Sequence, residues 1–117
     1  MKVFVYGSLM KGEFNHSILK NETTTFLGED ATKEEYTFYD LGGFPGLVRG
    51  GTQSVVGEIY EISSFTRRNL DVLESHPQFY RRTKIELKSG EKVEAYILNE
   101  GYAINCPVIE SGSWRKK

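Results

Sequence analysis

The chain has 117 residues, 38% of them apolar and 26% charged, with a formal net charge of −1. That length suits one domain, residues 1–117, able to bury a core without staples. The near-zero charge balance gives nucleic acid and anionic membranes no electrostatic hold. No stretch approaches the ~18 apolar residues of a membrane span, and the first residues lack a signal-peptide layout. A cytoplasmic protein is therefore expected. The single Cys106 rules out an internal disulfide and suits a reducing compartment. With no histidine close in sequence it reads as a passive thiol.

Residues 2–6 (Lys-Val-Phe-Val-Tyr) are apolar on both alternating faces, predicting a strand covered on both sides. A turn follows at Gly7 and Ser8, with a second glycine at Gly12. Residues 15–20 read as a short helix. Residues 23–28 and 36–40, rich in Thr, Phe and Tyr, predict strands. The run Leu41-Gly42-Gly43-Phe44-Pro45-Gly46 is expected to break regular structure. Residues 54–62 are the longest strand candidate. Ser63 or Ser64 caps a helix running to about Glu74 and stopped by Pro77. Residues 82–87 and 92–98 form a hairpin around Ser89 and Gly90, with one face wet. The last fifteen residues carry no period, and their basic end, from Trp114 through Arg115 and Lys116 to Lys117, reads as solvated. The order predicts an α+β fold, mostly antiparallel: a curled sheet or small barrel with helices packed on it.

The glycine turn is the first candidate site. Gly7 and Gly12 have the spacing of a phosphate-binding loop, but Glu13 and Phe14 stand where Lys and Ser/Thr must follow. Nucleotide binding is rejected on that ground. Ser8 as a nucleophile needs a histidine oriented by a third group, and neither His16 nor His76 has an acid beside it in sequence. Two readings stay open. Successive amides at a strand end can cradle a carboxylate or an oxyanion, with Gly7 allowing close approach. The same turn can also be tight and empty.

The helix supplies the second candidate. At 100° per residue, Phe65, Leu70, Val72 and Leu73 form an apolar arc that encloses Asn69. Glu74 lies about 40° beyond Leu70, at the core boundary, while Asp71 is expected to face water. A helix C-terminus and partial burial both favour the protonated carboxyl, so Glu74 can carry a proton near neutrality. Pairing with Arg81 or Arg82 is the competing account. Glu58 shares a strand face with Val56, Tyr60 and Ile62 and reads as a structural partner of a cation. Tyr80 and one of the two arginines can face the same cavity as Glu74.

Taken together, Val3 to Leu9, the Gly57-Glu58-Ile59-Tyr60 strand, Leu70-Asp71-x-x-Glu74 and Tyr80-x-Arg82 resemble the γ-glutamylcyclotransferase-like family. Met10-Lys11-Gly12 with Asn15-His16, and Glu74-Ser75-x-Pro77-x-x-Tyr80, look most like its γ-glutamylamine cyclotransferase branch. The resemblance implies a small mixed, mostly antiparallel β-barrel flanked by short helices. It implies a small-molecule γ-glutamyl substrate whose own α-amino group attacks its γ-carbonyl, releasing an amine and 5-oxoproline. Carried over, Tyr6, Gly7, Ser8 and Leu9 hold the γ-glutamyl group, Pro45 and Tyr80 border it, and Glu74 is the catalytic base and acid. The nucleophile belongs to the substrate, so neither metal nor cofactor is expected. Many members carry glycine after the glutamate, whereas this chain has Ser75. A non-catalytic binding or interaction domain on the same fold is the alternative, and an amide hydrolase or transferase is a third possibility.

Overall fold

In the computed structural model, which describes all of residues 1–117, β1 (Lys2–Val5) runs through the middle of a five-stranded sheet. Its neighbours are β5 (Val56–Glu61), antiparallel to it, and β7 (Lys92–Leu98), parallel to it. The edges are β2 (Thr25–Ala31) on β5 and β6 (Tyr80–Glu86) on β7, both antiparallel. Strand β1 is apolar on both faces because two cores need it. Val3 and Val5 join one cluster with Tyr60, Ile62, Leu70 and Leu98. Phe4 and Tyr6 join the other with Phe38, Leu47, Ile59 and Ile97.

A closed barrel was the expectation, and the sheet is not closed. The edge strands β2 and β6 do not pair along their length. They meet only past one end, where Thr32 bridges Leu87 and the Lys88 amide donates to the Ala31 carbonyl at 2.9 Å. A separate hairpin, β3 (Tyr36–Asp40) and β4 (Pro45–Arg49), lays Tyr36, Phe38 and Leu47 over the second core. The glycine-rich run expected to be irregular therefore ends inside a strand. Pro45 is tolerated because it is the first residue of β4 in a two-stranded ribbon, a position where a missing N–H costs little.

The helix α1 (Ser64–Leu73) starts as expected, with the Ser63 hydroxyl accepting from the Thr66 amide at 3.1 Å. Its buried stripe is not the apolar arc of the sequence. Phe65 and Val72 are 66% and 77% exposed and Asn69 is also exposed, while Thr66 and Leu70 are buried. Helix orientation is set by what lies beneath. Thr66 accepts a hydrogen bond from Asn21, and Leu70 enters the first core. Glu74 continues that i, i+4 line and so still reaches the interior. Asp71, expected in water, instead accepts from the Tyr96 hydroxyl at 2.7 Å and pairs with Arg82.

The hairpin β6–β7 turns at Gly90, whose φ of +91° is the left-handed conformation glycine accepts freely. Its expected wet face persists in β6, where Lys84 and Glu86 are exposed, but in β7 is confined to the start. Further along, Tyr96 and Leu98 are buried as well as Ala95 and Ile97, because β7 is an interior strand. The expected helix over 15–20 is a single 3₁₀ turn at His16–Leu19. The basic terminus is not simply solvated: Arg115 pairs with Glu58 and Glu13, and Lys117 sits 3.6 Å from the Trp114 ring centroid.

Candidate active site

A cleft of about 480 Å³ opens where β1 ends. Tyr6, Gly7, Ser8 and Leu9 form one wall, Glu74 and Ser75 another, and Pro45, Phe79 and Tyr80 close the side between them. All seven residues expected at a site therefore line one cavity, although they come from four separate segments.

The turn after β1 leaves its amides uncommitted. The amides of Gly7, Ser8 and Leu9 donate to no acceptor in the protein, whereas Met10 N donates to Gly7 O at 3.1 Å. Two neighbours hold the turn in shape. Asn15 donates through Nδ2 to Ser8 Oγ at 3.0 Å and through its backbone amide to Ser8 O at 2.8 Å. His16 Nδ1 lies 2.8 Å from Leu9 O, so it is the protonated ring nitrogen. Ser8 therefore has Asn15 and not an imidazole against its hydroxyl, which removes the basis for a serine nucleophile.

Gly7 is required by packing and not by an unusual φ. A Cβ there would stand 2.6 and 2.7 Å from Cγ and Cδ of Pro45. Pro45 is fixed in turn by Tyr80, whose hydroxyl donates to the Pro45 carbonyl at 2.5 Å. Tyr6 donates to the Tyr96 carbonyl at 2.6 Å and accepts from the Leu47 amide at 3.3 Å. Both hydroxyls are thus structural, building the cleft from behind. Burial is the main cause that raises both phenol pKa values, and the nearby Glu74 charge adds to it.

Glu74 is the C-cap of α1, and its backbone is stitched to the start of β6: Phe79 N donates to Ser75 O at 3.0 Å and Tyr80 N to Glu74 O at 3.3 Å. Its carboxyl makes no hydrogen bond and no ion pair with the protein. Burial alone pushes it up from 4.5 to about 7. The competing account, a partner in Arg81 or Arg82, fails here. Arg82 reaches Asp71 and, through Nε at 3.2 Å, Glu94, while Arg81 is exposed. Ser75 adopts a φ of +50°, a left-handed conformation at the end of the helix that glycine accepts more freely than serine.

The Asp71 network anchors this end of the helix. Burial works against the Asp71 carboxylate, yet hydrogen bonds from Arg82 and Tyr96 hold its pKa below the ordinary value. Arg67 adds a second pair to Glu94 at 3.4 Å. Glu58 stands outside the cleft. It is 5% exposed and accepts from the Lys11 amide at 2.8 Å and the Tyr60 hydroxyl at 2.9 Å, tying down the loop beyond the turn.

The sequence reading did not single out Asn15, Phe14, Phe44, Leu73 and Phe79 as cleft residues, though all line it. Phe14 and Phe44 carried a usable signal, since each is a large apolar side chain set among glycines and charges.

These features define a small α+β protein with one unpaired, half-buried carboxyl set in the same cleft as an open amide turn. The chain belongs to the Gamma-glutamyl cyclotransferase, AIG2-like family, whose model matches residues 3–116. A Vibrio cholerae protein provisionally named γ-glutamylcyclotransferase is 46% identical over 112 residues, 96% of this chain and 93% of that one. Gamma-glutamylaminecyclotransferase A of Danio rerio is 37% identical over 108 residues, covering 83% of this chain and 67% of its own. Among solved structures, a Mus musculus AIG2-like protein superposes with a TM-score of 0.75 at 28% identity, covering 93% and 85% of the two chains. This membership indicates an enzyme of the γ-glutamylcyclotransferase type.

Proposed function

We propose that the protein converts γ-glutamyl amines into 5-oxoproline and a free amine, with Glu74 carrying the proton. The observation that supports this reading best is Glu74 itself: a carboxyl with no protein partner, pushed up to about 7, in the cleft that also exposes three uncommitted amides.

The substrate enters with a protonated α-amino group. Ionised Glu74 takes one proton from it, and the freed amine attacks the γ-carbonyl carbon, forming the ring C–N bond. The carbonyl oxygen becomes an oxyanion, which part of the open amide turn at Gly7, Ser8 and Leu9 can receive while the rest holds the α-carboxylate. Glu74 then delivers its proton to the original amide nitrogen as that C–N bond breaks, and the extra proton on the ring nitrogen follows by the same path. Protons balance: an ammonium and an amide become a lactam N–H and a departing ammonium. Glu74 ends as it began. A pKa close to working pH suits a group that must both accept and return a proton.

Folding the substrate on itself is the other requirement. The Pro45 ring against Gly7 and the Tyr80–Pro45 hydrogen bond set a fixed wall for that purpose.

The test is 5-oxoproline release from γ-glutamyl amines by wild type and Glu74→Gln. Loss of ~10²–10⁴ in rate is expected from a folded variant. Retention of more than about a tenth of the rate overturns the role of Glu74. Free glutamate in place of 5-oxoproline would make the protein a hydrolase, and no product at all would leave a binding domain.

A further inference from the structure

The residues lining the cleft fall into two sets of opposite chemistry. One holds the amide turn, Glu74 and Ser75. The other is apolar and comes from separate segments. Phe14 follows the Gly12 turn and is 92% exposed, Phe44 projects from the tip of the β3–β4 hairpin, and Leu73 ends α1. Phe79 lies under Phe44, edge-on with ring centroids 5.9 Å apart, and is itself backed by Tyr102 at 4.4 Å.

No lysine, arginine, histidine or aspartate lines this cleft. Glu74 is its only carboxyl. The three tyrosine hydroxyls there all donate within the protein, to Tyr96 O, Pro45 O and Asp71. A γ-glutamyl group brings one carboxylate and one ammonium, which the amide turn and Glu74 can meet. A leaving group that is itself an amino acid brings a second carboxylate. It would find aromatic faces, no cation, and the Glu74 charge. An exposed apolar wall in a concave site marks binding, and burying a ligand on it is favourable in proportion to area.

We infer, resting on the cyclotransferase reading above, that the amine released carries an uncharged alkyl or aryl substituent and that Phe14, Phe44 and Phe79 select it. The γ-glutamyl end is read by the amide turn and Glu74, and the amine substituent by the apolar side chains. Leaving groups carrying a carboxylate are disfavoured because the cleft lining offers no cation to offset the water their charge loses against the aromatic faces.

The decisive comparison is γ-glutamylphenethylamide against γ-glutamylphenylalanine, which differ only by the carboxylate on the leaving group. 5-Oxoproline release should show kcat/KM at least ~10-fold higher for the phenethylamide. Phe44→Ala and Phe14→Ala should each narrow the ratio of phenethylamide to γ-glutamylmethylamide by about fivefold or more. Equal or faster turnover of γ-glutamylphenylalanine overturns the inference, as does an unchanged phenethyl-to-methyl ratio in both variants. If none of the compounds releases 5-oxoproline, the reaction assignment fails. The selectivity is then read separately, from calorimetric binding of the same three compounds to Glu74→Gln. Tighter binding of the phenethylamide supports the apolar wall, and tighter binding of γ-glutamylphenylalanine overturns it.

Discussion

Replacing Glu74 with glutamine should stabilise the folded protein at alkaline pH while removing its activity. Burial lifts the carboxyl from 4.5 to about 7, so the folded chain holds this proton more tightly than the unfolded chain does. The stability gained from that proton is fully present below pH 4.5 and is lost as pH rises through about 7. At 1.36 kcal/mol per pH unit, the difference between the limits is about 3 kcal/mol. Glutamine resembles the protonated carboxyl at every pH. The variant should match wild type near pH 4.5 and exceed it by up to about 3 kcal/mol at pH 8.5, or roughly 10 °C in Tm. Urea unfolding of both proteins at several pH values measures the difference directly, and all other titrating groups cancel in the subtraction. In the same window wild-type turnover should rise with pH through about 7, because only the ionised carboxyl can accept a proton. A difference that does not change with pH, or a variant less stable than wild type at pH 8.5, would refute the reasoning. Either result would mean that the carboxyl is solvated or paired in solution and is not a tuned proton carrier.

Gly7→Ala should cost about 1–3 kcal/mol by thermal denaturation, because its Cβ meets the Pro45 ring at 2.6 Å and one of them must move. Turnover should fall at least tenfold in the same variant, since the displaced atoms are the cleft wall; activity within twofold of wild type would show that the wall tolerates displacement. Glu58→Gln keeps an acceptor for the Lys11 amide and the Tyr60 hydroxyl but loses the charge facing Arg115. It should lower stability by about 1 kcal/mol while kcat changes by less than threefold, and a large kcat loss in a folded variant would place Glu58 in the reaction.

Local signals in the sequence were strong where one segment decides its own structure. The double-faced apolar run of β1, the Ser63 cap, the Gly90 hairpin and the α+β order all depend on neighbours a few residues apart. The identity of the glycine turn and of Glu74 as candidates was legible in the same way. Other features depended on what each segment meets in space. Helix α1 buries Thr66 and Leu70 because Asn21 and the first core lie beneath them, leaving Phe65 and Val72 in water. The sheet stays open because β2 and β6 meet only at Thr32 and Leu87. Asp71 finds Arg82 and Tyr96 from strands that the helix periodicity cannot see.

The sequence by itself thus determined most of the elements, though not strand β4 or the open sheet, and named the residues able to do chemistry. Only the tertiary structure decided that Glu74 has no partner, that the amides of Gly7, Ser8 and Leu9 stay uncommitted, and that Gly7 makes room for Pro45. The physical reason is that local structure follows from backbone preferences and apolar spacing over a few residues. A carboxyl's pKa and an amide's freedom follow from which distant groups do, or do not, come within reach.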